Sequence, residues 1–102
     1  MTHQVVVTKA ALQDMEEAAI WYENQTSGIG HKFLSVVNAG FEIISKHPDR
    51  YPYADSEKRR RKYLLPSPFR SYLIIYTIDE NTVTVLAVFH TSRNPSIWQS
   101  RD

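Results

Sequence analysis

Apolar residues follow two different periods along the chain, one in each half. Gln4 to Val7 is a short apolar run that suits an opening strand, and Thr8 is placed to cap a following helix through its hydroxyl. From Lys9 to Gln25, Ala11, Leu12, Met15, Ala18, Ala19 and Tyr22 fall on one helical face and Asp14, Glu17 and Trp21 on the other. Trp21 on the polar side has two readings, a contact residue or a rim residue shielding the core. Thr26 to Gly30 break the pattern and offer a hydroxyl cap for a second helix from Ile29 to Lys46. Its broad face holds Ile29, Phe33, Val36, Val37, Gly40 and Ile44, flanked by Leu34, Phe41 and Ile43. A glycine in mid-helix costs about 1 kcal/mol against alanine, so Gly40 predicts a close approach of the first helix. The two segments form an antiparallel helical hairpin.

Beyond Lys46 the period becomes that of strands. His47 and Pro48 end the helix, and Asp49 to Asp55 reads as an ordered loop. Three strands are predicted, at about Arg59 to Leu65, Tyr72 to Ile78 and Thr82 to Phe89, with Asp79, Glu80 and Asn81 as the turn between the last two. Both alternating sets of these last two strands are largely apolar, which places them centrally in the sheet. The polar tail from Thr91 to Asp102, with Trp98, reads as a turn followed by a short packed segment. The order β-α-α-β-β-β gives an α+β fold, a small antiparallel-rich sheet with the helical hairpin packed on one face.

Length and composition narrow the class. At 102 residues, 42% of them hydrophobic, the chain supports one core and is too short for two, so a single domain over residues 1–102 is expected. It has no cysteine, which removes disulfides and thiolate metal sites and fits a reducing cytoplasm. His3, His31, His47 and His90 never fall three or four apart, so no local metal motif exists and no cofactor is expected. No signal-peptide core or spanning-length apolar segment is present, so no membrane association is expected.

Charge adds a polarity that the net value of +1 hides. Residues 1–57 carry four cations against eight anions, a balance of −4, and residues 58–102 carry eight against three, a balance of +5. Five of those cations are consecutive, Lys58, Arg59, Arg60, Arg61 and Lys62, and lead straight into the apolar Tyr63, Leu64 and Leu65. A run feeding a strand belongs on a folded surface, where it either attracts a polyanion or protects a sheet edge by charge.

Candidate chemistry gathers after the last strand, in Phe89, His90, Thr91, Ser92, Arg93, Asn94 and Pro95. A histidine and an arginine at a sheet rim are the pair a phosphodiester-cleaving site would use, one moving a proton and the other stabilising phosphate charge. The structural reading is that the same two side chains hydrogen-bond the tail onto the sheet.

Taken in order, Ala11, Asp14 and Tyr22, then Gly30 and Phe33, then Pro48, Arg50 and Tyr51, the arginine-led strand from Arg59 to Leu65, Tyr72, Ile74 and Tyr76, and Val88 to Pro95 with Trp98 resemble one family. It is the RelE/ParE superfamily of toxins from type II toxin–antitoxin systems, and more closely its ParE, or plasmid-stabilisation, branch. RelE-like members are ribosome-dependent endoribonucleases that use basic residues and usually a tyrosine or histidine near the C-terminus. ParE-like members lack most of that set and are associated with poisoning DNA gyrase. This chain has no tyrosine after Tyr76, and its Pro66 to Ser71 bend is longer than the Phe-Pro-Tyr turn common in the ParE branch. The resemblance implies a cytoplasmic toxin acting on DNA gyrase and neutralised by a cognate acidic antitoxin encoded nearby, with no catalytic residue of its own. Its contact residues are expected among Lys58, Arg59, Arg60, Arg61, Lys62, Arg70, Arg93 and Trp98. The alternative is an endoribonuclease acting on ribosome-bound mRNA. His90 would then transfer the proton, Arg61, Arg70 or Arg93 would stabilise the phosphorane, and Glu57 would be the base. A third reading is an inactive module that still binds an antitoxin.

Overall fold

Strands and helices follow one another as β1 (Gln4–Val7), α1 (Lys9–Gln25), α2 (Ile29–Lys46), β2 (Tyr53–Asp55), β3 (Arg60–Leu64), β4 (Tyr72–Asp79), β5 (Thr82–His90) and α3 (Ser96–Gln99). The computed structural model describes residues 2–55 and 57–101. The Thr8 hydroxyl accepts from the Ala11 amide at 3.2 Å, the expected N-cap. The second cap differs from expectation. No hydroxyl caps α2; the Glu23 carboxylate of α1 reaches across instead and accepts from the Gly28 amide at 2.8 Å and the Gly30 amide at 3.0 Å. A carboxylate satisfies two orphan donors at once and complements the positive end of the helix.

The glycines divide the packing between them. A Cβ on Gly30 would collide with the Ala19 carbonyl oxygen, so this is the glycine that lets the two helices approach. Gly40, expected to do so, instead faces the sheet, where a Cβ would lie 2.9 Å from Ile74 Cδ1 and 3.1 Å from a Tyr63 ring carbon.

The sheet order is β1-β5-β4-β3-β2, with β1 parallel to β5 and every other pair antiparallel. β4 and β5 are thus interior, as their apolar runs required. The long bend before β4 leaves an unbroken β3–β4 register from Arg61↔Tyr76 to Leu64↔Leu73. One strand escaped prediction: β2, three residues inside the expected loop, pairs with β3. Three residues are too few to display a period.

A bulge decides what the end of β5 presents. Ile75 pairs with Ala87 and Tyr76 with Val85, so Leu86 is the extra residue and the alternation changes phase there. Val83 and Val85 before the bulge and Val88 after it pack in the main core under the helices, whereas Leu86, Ala87 and Phe89 join Ile75 and Trp98 on the opposite sheet face. Unbroken alternation would have put Ala87 and Phe89 with Val85, and His90 on the far face. The main core centres on Phe33, Val37, Ile44, Ile74 and Tyr76, all fully buried. At its α1 end Tyr22, Phe33, Phe69 and Tyr72 form an aromatic cluster with ring centroids 5.1 to 6.0 Å apart. Among the described residues no helix is long and apolar enough to cross a membrane.

Candidate functional site

The five consecutive cations do not form one patch. A strand sends successive side chains to opposite faces, and the run divides accordingly. Arg60 is only 3% exposed, bonded to Asp55 at 3.3 Å and to the Arg101 carbonyl oxygen at 2.7 Å, with its guanidinium 5.8 Å from the Trp98 ring centroid. Arg61 donates to the Tyr51 carbonyl at 2.6 Å, the Asp49 carbonyl at 3.2 Å and the Tyr53 hydroxyl at 3.1 Å, and lies 4.2 Å from the Tyr53 ring centroid. It fastens the segment after α2 to the sheet. Lys58 and Arg59 are exposed in the turn before β3, and Lys62 is half-buried on the second sheet face.

Trp98, expected among the contact residues, is 5% exposed and packs with Phe89 at 6.3 Å between centroids. Trp98 and Arg60 therefore belong to the packed second face and not to the surface. The physical reason is pairing: a buried guanidinium needs a carboxylate and further acceptors, and Asp55 with the Arg101 carbonyl supplies them.

His90 and Arg93 do meet, in a cleft where α1 crosses the ends of β4 and β5. Its walls are Asp14, Glu17, Ala18, Trp21, Tyr72, Val88, His90 and Arg93. His90 pairs with Tyr72 across the ladder, their rings edge to face at 5.0 Å. Its Nδ1 accepts from the Ser92 amide at 3.1 Å and lies 2.7 Å from the Ser92 hydroxyl. Because a backbone N–H can only donate, the neutral ring carries its proton on Nε2 and offers a donor there. Burial pushes the Tyr72 hydroxyl above the usual tyrosine range, opposed in part by the Arg93 charge. It too is a neutral donor at physiological pH.

Asp14, assigned by periodicity to the solvent face of α1, is engaged. Past Val85, β5 has no strand on its β1 side, and Asp14 covers that edge. It accepts from the Val88 amide at 3.1 Å and pairs with Arg101 at 2.7 Å, while Arg101 also donates to the Leu86 carbonyl at 3.0 Å. The backbone groups flanking the bulge are thereby satisfied.

Of the remaining nuclease candidates, Arg70 comes near His90, whereas Arg61 and Glu57 do not. Arg70 is exposed in the loop before β4, near His90 in the sheet because the Thr91 amide donates to the Ser71 carbonyl. Arg61 lies opposite Tyr76, four residues along β4 from Tyr72, which is about 13 Å along the strand. Glu57 lies beyond that same far end, in the exposed turn before β3.

An α+β sheet of this order, with a helical hairpin on one face and a cleft at its rim, has known relatives. The chain belongs to the family described as the ParE toxin of type II toxin–antitoxin system, parDE, whose model matches residues 5–95. It is similar to the chromosomal ParDE toxin–antitoxin system from P. aeruginosa, with a TM-score of 0.76 at 9% identity over 87% of this chain and 96% of that one. It is also similar to the toxin–antitoxin complex RelBE2 from Mycobacterium tuberculosis, with a TM-score of 0.52 at 20% identity over 88% of this chain and 99% of that one. No curated protein matches the sequence.

Proposed function

We propose that this ParE-family toxin acts on DNA gyrase in the cytoplasm, without chemistry of its own, and is neutralised by a cognate acidic antitoxin encoded nearby. The observation that carries the gyrase reading is the separation of the candidate base, Glu57, from the candidate acid, His90. His90 and Arg93 share a cleft, whereas Arg61 is spent on backbone carbonyls and lies with Glu57 toward the opposite end of the sheet. Phosphodiester cleavage needs its proton-transfer groups within hydrogen-bond reach of one phosphate. An interaction surface has no such requirement. The antitoxin reading draws on the two similar structures, both of toxin–antitoxin systems, and on the exposed cations Lys58, Arg59, Arg70 and Arg93.

Purified protein added to a gyrase supercoiling assay is expected to inhibit supercoiling or trap cleaved DNA, and a translating-ribosome assay is expected to return intact message. Message cut in register with codons, with supercoiling unaffected, would reject the gyrase reading in favour of the endoribonuclease.

A further inference from the structure

The cleft beside α1 holds two side chains, Trp21 and Glu17, that neither the fold nor the proposed target uses. Two adjoining cavities of about 190 and 420 Å³ share Trp21, Tyr72, His90 and Arg93, with Glu17 on the smaller and Ser92 on the larger; the larger lies in the usual range for small-molecule sites, about 300 to 1,000 Å³. Trp21 is 57% exposed, although the adjoining aromatic cluster of Tyr22, Phe33, Phe69 and Tyr72 is packed inward. Glu17 stands one helical turn before it on the same face of α1. Of the two carboxylates in the cleft, Asp14 is consumed by Arg101 and the Val88 amide, whereas the Glu17 carboxylate receives only a 3.4 Å contact from the Gln13 amide. Arg93 is exposed where the chain leaves β5 and lines both cavities, and the ion pairs among the described residues, Arg60–Asp55 and Arg101–Asp14, do not include it.

We propose that this cleft binds a guanine nucleotide, the base stacked on Trp21 and held by Glu17, and the phosphate held by Arg93. An exposed indole gives any base a π-face to stack on. Glu17 makes the choice. A carboxylate only accepts, and guanine offers it two adjacent donors, N1–H and the N2 amino group, whereas adenine and cytosine set an acceptor beside their amino donor. Arg93 supplies the charge-assisted, fork-shaped contact that phosphate favours. The requirement is therefore an aromatic ring with paired donors at one end and an anion at the other. A free guanine mononucleotide and a guanine within a single strand both meet it. The inference does not rest on the gyrase reading.

The test is a titration of the full-length protein followed by tryptophan fluorescence, in which Trp21 is the exposed reporter and Trp98 the buried one. 5′-GMP is expected to quench saturably, with AMP and guanosine each weaker by about tenfold or more, as a bidentate contact or a charged one requires. Glu17→Gln should bring the GMP and AMP affinities together, and Arg93→Ala should make GMP bind no better than guanosine. Both positions are exposed, so thermal melts should match the parent. A tetranucleotide of thymidine with a single guanine, compared with the thymidine-only strand, separates the two sources. Binding tighter than GMP assigns the site to single strands, and binding no tighter assigns it to the free nucleotide. Absence of saturation by GMP and by the guanine strand up to about 10 mM, a range already weaker than −4 kcal/mol of binding, would overturn the proposal. So would equal affinities for GMP and AMP in the parent protein.

Discussion

His90 illustrates how little a residue type says until its hydrogen bonds are known. Its Nδ1 accepts from the Ser92 amide and its ring packs edge-on against Tyr72, contacts that hold the turn after β5. His90→Gln keeps a side chain able to accept from Ser92, so a loss of about 1 to 2 kcal/mol is expected, with toxicity falling only as far as folding does. Thermal melts and growth arrest measured on the same variant check this. A well-folded His90→Gln protein that binds its antitoxin yet has lost all toxicity would mark a proton-transfer role. Glu23 is the converse case, a solvent-facing side chain with a structural task. The amides of Gly28 and Gly30 hold its carboxyl below the usual range. A folded-state pKa below the unfolded one gives stability that is present above the unfolded value, about 4.3, and is lost as pH falls through the folded value. The melting temperature should accordingly drop on acidification below about pH 4.5, and Glu23→Gln should flatten that part of the profile while lowering the melting temperature at pH 7. An unchanged profile would remove Glu23 as the cap. The structural reading of His90 was open to the sequence, but the Glu23 cap was not. A glutamate near a helix end is ordinary, and the arginines of the run look alike until strand parity separates Arg60, on the side of Trp98, from Arg61, on the side of Tyr63.

At the scale of elements, periodicity carried most of the fold. The boundaries of β1, α1 and α2 coincide with the predicted ones, because each rests on several apolar residues in phase and on a breaker, Thr8, Gly28 or Pro48, at its edge. The bulge in β5 had no such signal. Thr82 to Phe89 is apolar on both sides, so inserting one residue at Leu86 leaves the pattern equally hydrophobic and reverses every side chain beyond it. Its cost is offset by Asp14 and Arg101, which occupy the backbone groups on the uncovered edge. Asp14→Ala removes an acceptor for two partly buried donors, one of them charged, and should cost about 2 to 3 kcal/mol. It should also accelerate hydrogen exchange at the Val88 amide more than at the Val83 or Val85 amides, which belong to the part of β5 that β1 flanks. Equal acceleration along β5 would show that the loss is global and that Asp14 does not guard this edge.

Over the whole molecule, the division between −4 and +5 remains, but the structure redistributes it. Of the eight cations in residues 58–102, Arg60 and Arg101 are in ion pairs and Arg61 is bound to carbonyls, leaving Lys58, Arg59, Lys62, Arg70 and Arg93. Lys58 and Arg59 sit before β3, and Arg70 and Arg93 flank the opposite end of the sheet. Such a field spans the length of the sheet, which suits an extended acidic segment better than a compact one. An antitoxin recognised this way should associate quickly and with strong salt dependence, because long-range steering acts on the encounter and is screened over about 8 Å at physiological ionic strength. Reversing charge with Lys58→Glu and Arg59→Glu should slow association by about tenfold at low salt and leave dissociation nearly unchanged. Arg60→Ala, one position further on, should act differently. It strands Asp55 beside a buried gap and should cost about 3 to 5 kcal/mol of folding stability. Stopped-flow association with the cognate antitoxin, in rising salt, separates the two effects. If the rate is indifferent to salt and to the double reversal, the exposed cations do not guide the partner, and the contact must be sought on the apolar surface that Tyr51, Leu64 and Leu73 line.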